Sequence, residues 1–259
     1  MSTGKLIFFD IDNTLVSHVG RSHIPEATRE ALRLLRRGGH VTAIATARNL
    51  CMTRRTAADL AIDLMVCCDG AHGVQDGKTL YEECLSPAFL QKFQEGMSRE
   101  PENFFALDAE YVYVGWTSKE VEDYLVAQAG FDCRRPPADL RSASVAYMFR
   151  PSSLQPGRRD DVDIVEASAI PGCTEFLPRG VSKWSGILKA AEGLGFGRAD
   201  IITVGDGLND VEMIQSASVG VAVGAAKEQV KAVADLVVGD IDEGGILEAF
   251  QRLDMLQGG

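Results

Sequence analysis

The sequence contains no C-x-x-C pair. Its six cysteines, Cys51, Cys67, Cys68, Cys84, Cys133 and Cys173, carry neither zinc-site nor thioredoxin spacing. They are expected to be reduced thiols, packed mostly as small apolar side chains. No window approaches the run of about 18 apolar residues that a membrane span needs. The apolar start, Leu6 to Phe9, is cut short by Asp10 and is too brief for a signal peptide, which points to a cytoplasmic protein. Positive charge is in deficit: 26 Lys and Arg stand against 37 Asp and Glu, a net charge of −11. A nucleic-acid polymer or an anionic membrane as the main partner is disfavoured, because phosphate backbones repel such a field. The four histidines, His18, His23, His40 and His72, lack metal-binding spacing and read as surface or loop residues. Internal repeats and low-complexity segments are absent too. What remains is an ordinary globular mixture over 259 residues, 46% hydrophobic, 7% aromatic and 24% charged. That length suits two domains, or one large domain carrying an insertion.

Short runs that are apolar at every position recur, each ending in a polar residue or glycine and followed by helical periodicity. Leu6–Phe9 runs into Asp10, Val41–Ala45 into Thr46, Leu64–Cys68 into Asp69, Ile201–Val204 into Gly205-Asp206, and Val219–Val223 into Gly224. Such runs suit strands buried on both faces of a parallel sheet. Helices are expected at Pro25–Arg37, Leu50–Leu60, Ser182–Leu194, Asp210–Ala217 and Glu228–Ala234. Strand alternating with helix predicts an α/β fold with a doubly wound, mostly parallel, Rossmann-like sheet. Between Thr79 and Leu177 the strand candidates alternate instead, as in Tyr111–Trp116 and Val145–Phe149, the mark of an antiparallel sheet with one covered face. Helical stretches at Pro87–Glu95 and Ser118–Gln128 accompany them. The expected organisation is a core from residues 1–78 and 178–259, interrupted by an α+β cap at 79–177.

In open α/β sheets, ligands bind beyond the carboxyl ends of the strands. Those ends hold Asp10, Asp12, Thr46, Asp206, Asn209 and Asp210, a cluster dominated by acid. Converging carboxylates raise one another's pKa values unless a cation neutralises them. An all-oxygen set that also serves phosphate points to Mg²⁺. Lys183, placed in a first helical turn after the N-cap residue Ser182, opposes the helix dipole unless something anionic faces it. Metal, carboxylates, a hydroxyl and a lysine around a phosphate is the picture these residues compose.

Four motifs in this order resemble the haloacid dehalogenase superfamily of phosphatases: Asp10-Ile-Asp12-Asn13-Thr14, Thr46-Ala47-Arg48, Gly180-Val181-Ser182-Lys183 and Gly205-Asp206-Gly207-Leu208-Asn209-Asp210. The position of the insertion and the stretch after Val219 resemble the Cof-type subfamily, whose members carry an α/β (C2) cap. The resemblance implies hydrolysis of a small phosphorylated metabolite, such as a sugar phosphate, through an aspartyl-phosphate on Asp10. Asp12 is implied as general acid and base, and Thr46, Lys183, Asn209 and Arg48 as phosphate or substrate contacts. Mg²⁺ is implied on Asp10, the backbone carbonyl of Asp12 and Asp206, with Asp210 a ligand through water or a support behind these ligands. Three positions depart from the family pattern: Asn13 and Ala47 stand where glycine is usual, and Ala225 where asparagine is often found. Arg134-Arg135 and Arg158-Arg159, in the cap, are expected on solvated faces or near the substrate, and Arg36-Arg37 and Arg54-Arg55 on solvated faces. Tyr111, Tyr113 and Trp116 are expected to pack the cap sheet. The alternatives are a phosphotransferase or phosphomutase using the same aspartyl-phosphate, and a non-catalytic phosphate-binding regulatory domain. The chain is expected to act as a monomer or homodimer.

Overall fold

The computed structural model describes residues 4–20, 22–116, 119–154, 160–167 and 172–256, so Arg158 and Arg159 lie outside the described residues. The first strand, β1 (Leu6–Phe9), has every side chain fully buried. Each such side chain contributes about 1.5–3 kcal/mol of transfer free energy. Ile7 and Phe9 face the cluster that holds Leu32, Leu35 and Phe250, whereas Leu6 and Phe8 face the cluster of Trp184, Ile187 and Met213. That two-sided burial is why the run is apolar at every position.

Around β1 lie β2 (Val41–Ala45), β3 (Leu64–Cys67), β4 (His72–Gln75) and β5 (Lys78–Glu82) on one side, and β12 (Ile201–Gly205), β13 (Val219–Ala222) and β14 (Leu236–Val237) on the other. Their order is β14-β13-β12-β1-β2-β3-β4-β5. All pairs from β14 to β3 are parallel, and β4 and β5 close the edge as an antiparallel hairpin. Helices α1 (Glu26–Arg37), α2 (Leu50–Leu60) and α8 (Gly245–Arg252) cover one face; α5 (Lys183–Gly193), α6 (Val211–Ser216) and α7 (Glu228–Lys231) cover the other. The doubly wound reading holds, and the hairpin extends it: β5 crosses the expected boundary at 78/79 and stays in the large sheet. Its pattern hid it, since Lys78–Glu82 is mostly exposed.

A second sheet has the order β10-β11-β9-β6-β7-β8, from β6 (Phe104–Leu107), β7 (Val112–Val114), β8 (Arg134–Arg135), β9 (Val145–Met148), β10 (Val162–Glu166) and β11 (Thr174–Pro178). All its pairs are antiparallel except β7 with β8. One face packs on α3 (Pro87–Arg99), where Phe89 and Phe93 meet Phe104 and Phe176. The other face is covered as well, because Leu107, Val145, Tyr147 and Leu177 join the cluster that continues into the core. Helix α4 (Lys119–Ala129) packs against α2 across the same boundary. Tyr113 is buried in this sheet as expected, but Trp116 is 58% exposed.

Candidate active site

Asp10 follows β1 directly, and its N–H donates to the Val204 carbonyl of β12 at 3.0 Å, so the parallel ladder carries it to the carboxyl edge of the sheet. Lys183 opens α5. The Ser182 hydroxyl accepts from the Ser185 N–H at 3.2 Å, and the Ser185 hydroxyl accepts from the Ser182 N–H at 2.9 Å, a reciprocal cap that fixes where the helix begins. The close seating of this helix needs Gly70, whose φ is +102° and whose Cβ would lie 1.9 Å from the Ser182 carbonyl oxygen.

The Lys183 ammonium, 2% exposed, donates to Asp10 Oδ1 at 2.7 Å and to Asp210 Oδ1 at 2.6 Å. A lone buried ammonium at a helix N-terminus would cost several kcal/mol, so these two carboxylates hold it there. Burial works against its charge, but Asp10 and Asp210 outweigh it and raise its pKa. Asp210 uses its other oxygen to accept from the backbone N–H groups of Asp206 (3.0 Å) and Gly207 (2.9 Å). That closure folds residues Leu208–Asp210 into a 3₁₀ turn and delays α6 until Val211. It also demands glycine at 205, where a Cβ would sit 2.5 Å from Asp210 Oδ2.

Asp206 accepts from the Thr14 hydroxyl at 2.9 Å. Burial, then Asp210, push its carboxyl up to about 6. Burial likewise drives Asp10 well above the usual carboxylate range, against the pull of Lys183. One carboxylate oxygen each from Asp10, Asp206 and Asp210 lies within 4.8 Å of the others. These three fit a hard divalent cation, which would relieve both raised pKa values.

The Asp12 carboxylate is not in that group. It accepts from Arg48 Nε at 2.9 Å and Arg48 Nη2 at 2.5 Å, and His18 Nε2 lies 2.7 Å from its Oδ1. Burial raises its pKa, but these hydrogen bonds and charges dominate and hold it well below the usual range. Arg48 is 5% exposed and also donates through Nη1 to Gln128 on α4, at 2.5 Å. Thr46, at the end of β2, is 1% exposed, and its hydroxyl accepts from the Arg48 N–H at 3.2 Å. Asn209 donates to Asp69 Oδ1 at 2.8 Å. Asn13 has the φ of +57° that a glycine would supply, a region asparagine tolerates, while Ala47 is half-buried and Ala225 exposed.

Several residues here carry no signal in sequence. His18 lies exposed in a loop, as expected, and there also meets Asp12, a contact whose one trace in the sequence is a separation of six residues. His72 is 2% exposed inside β4, not at the surface. Arg54 and Arg55 tie α2 to the cap through Glu110 (2.5 Å) and the Ala127 carbonyl (3.3 Å). Arg134 pairs with Glu122 and Asp132, and Arg135 stacks over Tyr111 at 4.0 Å, so both find partners inside the cap. Among the described residues, no helix is long and apolar enough to cross a membrane.

A doubly wound core with an acidic, cation-seeking centre under an inserted cap sheet defines the class of enzyme. The sequence model of the haloacid dehalogenase-like hydrolases matches residues 7–146 and 159–250. The chain belongs to this family and is a phosphatase, a phosphoric monoester hydrolase. It is 29% identical over 262 residues to the Bacillus subtilis protein named "Putative phosphatase YkrA", covering 98% of this chain and 99% of that one. To the 5-amino-6-(5-phospho-D-ribitylamino)uracil phosphatase YcsE of Bacillus subtilis it is 27% identical, over 96% of this chain and 95% of that one. A solved sugar phosphatase of subclass IIB shares the fold with a TM-score of 0.81 at 24% identity, over 97% and 99% of the two chains.

Proposed function

We propose that the chain hydrolyses a small phosphomonoester, such as a sugar phosphate, with Asp10 as the nucleophile. The observation that carries this is the Asp10 carboxylate at the end of β1, held by Lys183 and converging with Asp206 and Asp210. An Asp10 oxygen forms a bond to phosphorus as the ester P–O bond breaks. Lys183, Thr46 and Asn209 bind the phosphoryl oxygens, since phosphoryl transfer is chiefly positioning and charge stabilisation. The residues that would hold Mg²⁺ are Asp10 and Asp206, with the Asp12 carbonyl, and Asp210 supports them through its grip on the loop. That ion supplies neutralising charge at the phosphoryl group.

Asp12 is ionised as it stands, so its ready task is to take the proton of the water that cleaves the aspartyl-phosphate. For the first step it must hand a proton to the leaving oxygen. His18, at 2.7 Å, is a group through which it can receive one. Arg48 must then release it toward the substrate phosphate, for which its guanidinium is suited. Phosphate release from a panel of phosphorylated metabolites with Mg²⁺ tests the reading. Release at a rate independent of added sugar acceptor is expected; release that requires an acceptor points to a phosphotransferase, and inertness across the panel overturns the hydrolase.

A further inference from the structure

Cap strand β11 sends one carboxyl across to the core. Phe176 points into the aromatic cluster, 5.3 Å from Phe89 and 5.8 Å from Phe93 between ring centroids, so its neighbour Glu175 faces the other way. There Glu175 is 3% exposed, accepts from the Tyr147 hydroxyl at 3.0 Å, and is hydrogen-bonded to the carboxyl of Asp69. Asp69 follows β3 in the core, 4% exposed, with a left-handed φ of +48°, and Cys68 before it is left-handed too (+52°). Two successive non-glycine residues in that region mark a conformation imposed by its surroundings, and such strain concentrates at functional sites. The imposed conformation aims Asp69 Oδ1 at the Asn209 amide, 2.8 Å away, while the Asp69 N–H donates to the Thr46 carbonyl at 3.1 Å. Burial, then Asp69, push the Glu175 carboxyl up to about 9, so in the fold it keeps a proton that it can donate to Asp69.

We propose that Glu175 is a positioning residue: by holding Asp69 from the cap it fixes the aim of the Asn209 amide, so that cap seating and phosphate binding are coupled through Tyr147, Glu175, Asp69 and Asn209. This rests on the assignment of Asn209 to the phosphoryl oxygens. The coupling is a contiguous chain with Tyr147 and Glu175 on the cap sheet and Asp69 and Asn209 on the core, which is what a cap-dependent site requires.

The test uses the full chain with Mg²⁺, reading inorganic-phosphate affinity by calorimetry and kcat on a phosphoester, for E175A, E175Q, N209A and E175A/N209A. A misplaced amide is expected to cost E175A about 10²-fold in kcat and to weaken phosphate binding. E175Q still donates an N–H to Asp69 and accepts from Tyr147, and is expected within about threefold of wild type. In the N209A background, E175A is expected to add no further loss. Wild-type behaviour of E175A, multiplication of the E175A and N209A losses, or an E175Q as poor as E175A with a wild-type melt would each overturn the proposal. Should E175A fail to fold, Tyr147→Phe is the second probe: a loss that disappears in the N209A background supports the chain, and an additive one overturns it. Glu175-dependent phosphate binding without turnover fells the hydrolase reading alone; turnover indifferent to Glu175 fells only this one.

Discussion

Substituting Asp10 by asparagine keeps the side chain's shape and removes its charge, which separates chemistry from folding. If Asp10 is the nucleophile as proposed, this variant is expected to lose at least about 10³-fold in kcat. Its carboxyl is driven up in the fold by burial and neighbouring acids, so the neutral side chain is also expected to raise the melting temperature slightly in metal-free buffer. Retained phosphate release would sink the assignment; a melting temperature that falls would show that the Lys183 ion pair outweighs the crowding. Asp10, Asp12, Asp206 and Lys183 are legible in sequence because each sits within a few residues of a strand or helix end. Glu175 and Gln128 are not, and Asp69, though it ends the Leu64–Cys68 run, has a partner that the sequence does not show. Their partners, Asp69 with Glu175 and Arg48 with Gln128, come from distant segments, and nothing local distinguishes Glu175 from any solvated glutamate.

At the scale of elements, the long apolar strands and the helices with a clear stripe were readable: Leu50–Leu60 ends as expected, and α5 begins where its capping residue places it. Short elements governed by contacts were not. The β4–β5 hairpin is mostly polar at its edge, and the single turn α7 ends at Lys231, three residues before its apolar pattern does. Gly70 tests how tightly two elements must meet. Alanine there would be forced to a φ of +102° and into the Ser182 carbonyl, a combination costing about 1–3 kcal/mol from backbone strain before the clash. Gly70→Ala is therefore expected to lower the melting temperature and, by shifting the start of α5 and Lys183 with it, to lower kcat as well. A variant with wild-type kcat would mean that Lys183 is placed by its carboxylates alone.

For the whole molecule, two linkages are measurable. Burial first, then Asp69, push Glu175 up to about 9, while Tyr147 and Lys183 pull the other way. The fold then keeps a proton that the unfolded chain releases near pH 4 to 5, and stability falls as pH rises from there toward 9. The wild type is expected to lose ground to E175Q across that window, by at most about 1.4 kcal/mol per pH unit. Parallel melting curves would show that Glu175 is ionised in the fold. On the proposed reading Mg²⁺ binds where the carboxylates converge, so it is expected to stabilise the fold by mass action, by about 2.7 kcal/mol at a hundredfold excess over its dissociation constant, and so to raise the melting temperature. The rise should be absent in D206N, and chelation should stop turnover.

The sequence by itself determined the doubly wound core, the acidic centre and the family, because burial on both faces and short-range motif spacing are written in consecutive residues. Only the tertiary structure decided that Asp12 is held ionised by His18 and Arg48, that Lys183 is shared by two carboxylates, and that a glutamate of the cap meets an aspartate of the core. Those facts are distances between groups far apart in the chain, and packing alone sets them.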